Sequence, residues 1–237
     1  MTIEEMHYDF KMKFNKVDSQ ANRNLLIPEI DWLLNEAQEI FVKNIAQPRN
    51  PNSSQGFERT QRSIDDIRTI VIPDVDCALA SGKTDTFAIP SDYMFFSKGI
   101  AFMTKGTSTN VQGVLFIRQH DDLFEISDFD KSSFEWRTVN GVFDKNGIKV
   151  FASDFTVTKL SITYIKKLSY INNAEKFSGG YYNLPNGTVL SVNVNCELPS
   201  HTHREIVDIA VLLASGDMQL PDYSIKKDKI NSVNQFN

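Results

Sequence analysis

The hydrophobic period of this chain changes twice, and that double change limits the folds open to it. Up to residue 83 apolar residues recur every three or four positions, from Thr86 they recur every second position, and after Pro199 the helical step returns. A run of helices, a run of strands and one last helix is the signature of an α+β protein. The expected organisation is a helical bundle or hairpin over residues 1–83 and an antiparallel β-sheet or sandwich over 84–198. A helix over 199–216 packs back on the helical part, and an extended tail covers 217–237.

The first helix starts where Thr2 and Glu5 form a capping box, and its stripe is Ile3, Met6, Phe10, Phe14 and Val17. The second is announced by Pro28 in a first turn, with Glu29 and Asp31 placed to suit the helix dipole. Its stripe of Ile30, Leu33, Leu34, Ala37, Phe41 and Ile45 is widened by Trp32 and Ile40, a width that implies more than one neighbour. Residues 48–56 read as a loop. A third helix is predicted beyond them, with Phe57, Ile64, Ile67 and Val71 on one face and Arg59, Arg62, Asp65, Asp66 and Arg68 on others. The last helix starts at Ser200 as N-cap, or at Thr202 boxed with Glu205. It carries Ile206, Ile209, Ala210 and Leu213 and stops at Gly216 in a left-handed cap.

Between them the strands are read from alternation. Tyr93 to Thr104 and Val111 to Arg118 form a hairpin across the polar run TKGTSTN. Segments 134–143 and 148–152 flank an Asn146-Gly147 turn, and Leu160, Ile162 and Tyr164 mark a further strand. Asn186-Gly187 turns the chain into a final strand over Leu190, Val192, Val194, Cys196 and Leu198.

Composition excludes several functions. A net charge of −5 argues against a protein that grips nucleic acid over its whole surface; the basic clusters Lys11/Lys13/Lys16 and Lys226/Lys227/Lys229 read as solvated faces or tails. Two distant cysteines, Cys77 and Cys196, imply a reducing setting, and neither a signal peptide nor an apolar run long enough to span a membrane is present.

Catalytic constellations are thin. Cys196, His201 and His203 have metal-binding atoms but no visible fourth ligand. Ser153-Asp154 lacks a nucleophile elbow, and Ser178-Gly179-Gly180 lacks the strand, helix and lysine of a phosphate cradle. Asp121/Asp122 and Asp128/Asp130 read as an acidic loop. The residues favour a binding or assembly protein without cofactor or metal over an enzyme.

Five stretches carry a resemblance over nearly the whole chain. They are FNKVDSQANRNLLIPEIDWLLNEAQEIFV, GFERTQRSIDDIRTIV, FAIPSDYMFF, RQHDDLFEISDFDKSSFEWR and ELPSHTHREIVDIAVLLASG. Their order resembles the head-to-tail connector proteins of short-tailed bacteriophages, the adaptor or gatekeeper-like tail rings, and most closely the ring proteins of crAss-like phages. The resemblance implies a virion structural protein of the neck or tail, assembled in the host cytoplasm as a ring, a dodecamer that matches the portal. Its partners would be further copies of itself, the portal or adjacent rings, other tail proteins, and genomic DNA sliding through the channel during ejection. Interface candidates are Trp32, Phe41, Phe57, Arg62, Arg68, Lys226, Lys227 and Lys229. Two alternatives are a β-sandwich module that binds host glycan or protein through aromatics such as Tyr181 and Tyr182, and a nuclease or hydrolase using His120, Asp121 and Asp122.

Overall fold

The computed structural model describes residues 1–15, 24–46, 61–121, 131–218, 224 and 227–228. In chain order the elements are α1 (Ile3–Asn15), α2 (Ile27–Ala46), α3 (Gln61–Ile67), β1 (Val71–Cys77), β2 (Thr86–Phe87), β3 (Tyr93–Lys105), β4 (Ser108–Ile117), β5 (Thr138–Asp144), β6 (Gly147–Phe151), β7 (Thr156–Lys166), β8 (Tyr182–Asn183), β9 (Val189–Leu190) and α4 (His203–Asp217). They divide into two compact units. Residues 1–70 with 168–237 form the helical unit, and residues 71–167 form the sheet unit. This division differs at both ends from the β limits of 84 and 198 drawn on sequence, because β1 begins earlier and residues 168–198 lie with the helices.

In the helical unit the Thr2–Glu5 box is made in both directions. The Thr2 amide donates to Glu5 Oε2 at 2.9 Å and the Glu5 amide donates to Thr2 Oγ1 at 3.3 Å. Ile3, Met6, Phe10 and Phe14 are buried as their spacing requires; Val17 lies outside the described residues. On α2 the expected stripe is buried from Ile30 to Phe41, while Trp32 faces outward. The C-terminal helix α4 packs on α1 and α2, as read from the sequence.

Four local expectations are corrected. The third helix does not reach Val71. It ends at Ile67, runs through one short 3-10 turn over Arg68–Ile70, and becomes β1. The β-branched run Ile70-Val71-Ile72 followed by Pro73 disfavours helix and suits an extended chain. The predicted strand over 190–198 pairs only at Val189–Leu190, with one isolated bridge from Asn172 to Val194. Its alternating polar side chains serve a different purpose: Asn193 Oδ1 accepts the Glu175 amide at 3.1 Å and Asn195 Oδ1 accepts the Ile3 amide at 2.8 Å. Gly216 is no left-handed stop, since α4 continues through Asp217 to Met218. Thr202 occupies the N-cap position without a side-chain cap; its hydroxyl donates instead to the Pro199 carbonyl at 2.9 Å.

The sheet unit is a seven-stranded sheet in the order β1-β7-β3-β4-β5-β6-β2, antiparallel except where β4 and β5 run parallel. Leu79, just past β1, bridges to Phe87 of β2; the Ala88 amide donates to Ala78 O and the Ala80 amide to Thr86 O, both at 2.8 Å. The two ends of the strand order are thereby joined, and the pairing runs in a closed circuit around one core. That core holds Phe87, Ala101, Met103, Leu115, Val139, Ile148, Leu160, Ile162 and Tyr164. What remains of the free edge of β1 is blunted by Pro73 and by a register shift at Asp74, whose φ is +49°.

The turn between β5 and β6 is a fifth correction. Asp144 pairs with Gly147, so Lys145 and Asn146 are its central residues rather than Asn146-Gly147. Gly147 is needed for another reason. Its φ is +143°, and a Cβ there would lie 1.9 Å from the Phe87 carbonyl oxygen, so only glycine lets β2 approach β6. Gly147→Ala should therefore cost at least about 3 kcal/mol in urea unfolding, combining backbone strain with a lost strand contact. Gly187→Ala, at φ +85° with open space around it, should cost only about 1 kcal/mol.

Candidate assembly surfaces

The helical unit is organised by a row of polar residues beside the apolar stripe of α2. Asp31 is 0% exposed, and a carboxylate in that position must have its oxygens satisfied. Oδ1 lies 2.7 Å from His7 Nε2 on α1, while Oδ2 accepts the Tyr182 hydroxyl at 2.7 Å and the Asn173 amide at 3.1 Å. One turn on, Asn35 pairs with Ile171 at two points: its Nδ2 donates to the Ile171 carbonyl at 2.7 Å and its Oδ1 accepts the Ile171 amide at 2.9 Å. Gln38 Nε2 then donates to the Ser169 carbonyl at 3.1 Å. The row 31/35/38 thus binds the backbone of 169–173 as a neighbouring strand would, and holds in place a segment with no ladder of its own.

Electrostatics follow from this packing. Burial, and then the Asp31 carboxylate, hold the Tyr182 phenol far above its ordinary range; burial also raises Tyr170. On the opposite side of α1, Lys13 bridges Asp9 and Asp208 of α4, each at 2.8 Å. Partial burial pulls its pKa down, but the two carboxylates outweigh that and the net shift is upward.

The chemical groups weighed on sequence do not converge. Cys196 is buried against Gln38, and burial pushes its thiol up to about 11. His203 Nε2 donates to the Leu198 carbonyl at 2.8 Å, and His201 Nε2 lies 2.8 Å from Asp66 Oδ1 at the surface. Among the described residues no three histidine, cysteine or carboxylate side chains group to hold a metal ion. Asp154 is exposed and held by Lys105, whose hydrogen bond lowers its carboxyl pKa. His120 Nε2 bonds the Phe143 carbonyl at 2.8 Å; Asp122, Asp128 and Asp130 lie outside the described residues. Gly179 and Gly180, at φ +90° and +75°, form a turn before Tyr182. Tyr182 is buried on Asp31, which leaves Tyr181 alone as an exposed aromatic of that pair. No helix among the described residues is long and apolar enough to cross a membrane.

Of the interface candidates, Trp32 stands 53% exposed on α2 and Phe41 is 6% exposed inside the helical unit. Arg68 is exposed and paired with Asp65 at 3.1 Å. Lys227 is exposed. Arg62 falls in α3 with its side chain outside what the structure describes, as are Phe57, Lys226 and Lys229 entirely. Sequence reading passed over a second set. On the outer face of β4, Val114 and Phe116 are exposed, and the turn running into β5 carries Trp136 at 81% exposure. In the helical unit Val189 and Val192 are exposed, near Tyr181, which the sequence had already offered as a binding aromatic. The signal was present in β4, where Val114 and Phe116 stand out of phase with the buried Gly113 and Leu115.

A family model described as phage tail ring protein 3/4 matches residues 1–221. No curated protein matches the chain.

The Asp31 network yields a measurable expectation. Asp31→Ala strands His7, the Tyr182 hydroxyl and the Asn173 amide in a dry interior, and should cost about 3–5 kcal/mol in urea unfolding. Tyr182→Phe should cost about 1–2 kcal/mol at neutral pH. Because the folded phenol binds its proton more tightly than the unfolded one, its contribution is complete below about pH 10 and is lost as pH rises beyond that. The variant should therefore show a flatter alkaline decline than the parent chain.

Proposed function

Because the chain belongs to the phage tail ring protein 3/4 family, we propose that it is the subunit of a closed ring in the portal-proximal neck or tail of a crAss-like phage. Twelve copies match the portal, complete the DNA channel and link the portal or an adjacent ring to more distal tail proteins. The match over residues 1–221 is the observation that carries this reading. The subunit acts by shape and self-association, as a structural part rather than an enzyme, and it assembles in the host cytoplasm before taking its place in the virion.

Physical chemistry supports the role. A closed ring needs two different surfaces on each subunit, one for each neighbour. Exposed apolar side chains on both units, Trp32 and Tyr181 on one and Phe116 and Trp136 on the other, supply mating surfaces. A net charge of −5 suits a wall past which DNA slides, since every lysine or arginine bound to a phosphate adds to the grip and slows passage. Lys226, Lys227 and Lys229 belong to a tail beyond the family match, and in this reading they dock on an adjacent subunit or ring.

Purified chain mixed with its cognate portal should give closed twelve-fold rings in negative-stain images and a matching native mass; persistent monomers in that mixture would overturn the assignment. Deleting residues 224–237 should reduce ring yield at least tenfold. Unchanged assembly would remove the tail from the interface.

A further inference from the structure

The dipeptide Asn-Gly occurs three times in the chain, at 140–141, 146–147 and 186–187. It is the pair most open to spontaneous deamidation. The amide nitrogen of the second residue attacks the asparagine Cγ, and glycine, having no Cβ, leaves that approach unobstructed. A new N–Cγ bond forms, and the side-chain amide leaves as ammonia, carrying off the proton given up by the attacking nitrogen. The cyclic imide that remains is then opened by water on either side, to aspartate or to isoaspartate, in which the main chain runs through Cγ. Water is the only reagent.

The fold puts these identical dipeptides in three different surroundings. Asn140 is buried in β5: its Oδ1 accepts Arg118 Nε at 3.3 Å, and its amide donates to Ser132 Oγ at 2.9 Å. Gly141 is held between β4 and β6, opposite Ile117 and Val150. Asn146 is exposed, but the nitrogen that would attack it belongs to Gly147, which is buried, closes the β5–β6 turn opposite Asp144 and abuts the Phe87 carbonyl. Swinging that amide toward Asn146 Cγ requires β2 and β6 to part.

At the third dipeptide both residues are exposed, and a Cβ on Gly187 would meet no atom within 4 Å. Asn186 Oδ1 accepts the Thr188 amide at 3.0 Å, which folds the side chain back across the Gly187 nitrogen and draws electron density from Cγ. The Gly187 amide donates to Leu184 O at 2.9 Å, and this surface bond opens without disturbing a core.

We propose that Asn186 is the deamidation site of the folded chain and that its isoaspartyl product slackens the β8–β9 ladder. Aspartate at 186 keeps an acceptor for the Thr188 amide. Isoaspartate lengthens the main chain by one carbon between Leu184 and Thr188, where the Leu184 amide donates to the Thr188 carbonyl at 2.9 Å, and puts the pairs Tyr182–Leu190 and Asn183–Val189 out of register. The Tyr182 hydroxyl is fixed on Asp31, so a change at the surface reaches the buried network.

Full-length chain kept at mildly alkaline pH and sampled over days tests this, with peptide mass spectrometry at each Asn-Gly and isoaspartyl methyltransferase labelling as readouts. In the folded chain Asn186 should convert at least about tenfold faster than Asn140 or Asn146, which react only after local opening. In urea that preference should disappear, because the dipeptide is the same. Asn140 or Asn146 keeping pace with Asn186 in the folded chain, or a preference for Asn186 that persists in urea, would overturn the assignment. Asn186→Asp separates the new charge from the altered backbone. This variant should unfold at the parent's urea midpoint, while the fraction resolved by ion exchange and rich in isoaspartate should unfold at a lower one. Equal midpoints for the two would confine the modification to the turn and overturn its link to Tyr182 and Asp31.

Discussion

The helical unit depends on the burial of one carboxylate. Removing a charged carboxylate from water costs several kcal/mol unless its oxygens are fully bonded. Asp31, with no exposed surface, draws its partners from three distant places in the chain: His7, Asn173 and Tyr182. Satisfying it fixes where α1 lies on α2 and where residues 169–182 must run. A small apolar side chain would bury comfortably in many arrangements, whereas this carboxylate is satisfied in one. Its contribution is to uniqueness of structure more than to net stability, and Asn35 and Gln38 extend the same logic along the helix.

The sheet unit reaches uniqueness by a different route. Its strands close on themselves through Leu79 and Phe87, so each strand has a neighbour on both sides over part of its length, and the buried interior is one apolar cluster. Closure shortens the unpaired strand edges through which β proteins aggregate. For a member of a tail ring family, that matters. A free edge accepts any extended chain, while a face of side chains accepts only a surface of matching shape and charge.

Much of this was legible in the residues. Thr2 and Glu5 announce α1, the α2 stripe is buried over Ile30 to Phe41, and the β3–β4 hairpin follows from alternation alone. These features depend on neighbours close in sequence. The role of Asp31 was hidden because an acidic residue in a first helical turn already has a sufficient explanation in the helix dipole. The better signal was the recurrence of polar residues at 31, 35 and 38 alongside the apolar stripe. Residues 190–198 mimic a strand because Asn193 and Asn195 alternate with apolar residues while capping remote amides, a use that period cannot reveal. At Gly147 local turn chemistry was read correctly as a need for glycine but for the wrong neighbour, since Phe87 lies sixty residues away in sequence (147 minus 87). The outward phase of Val114 and Phe116 was visible and went unread because a half-exposed valine or phenylalanine on a strand is unremarkable until its surroundings are known.

The modest size of the exposed patches has a consequence for assembly. A tryptophan and a phenylalanine buried together contribute on the order of 2–3 kcal/mol each, from which the cost of bringing two free molecules together must be subtracted. A single lateral contact of that kind is weak, with dissociation in the range of about a millimolar to a micromolar. The last contact of a closed ring is different, because its two halves are already held at a high effective concentration and add their energy without a second association cost. Weak unlike patches repeated around a circle therefore give free monomers and complete rings with few partial arcs between them. A platform that gathers several copies favours closure further. Exposed side chains such as Trp136 and Phe116 are compatible with lateral contacts of that modest strength.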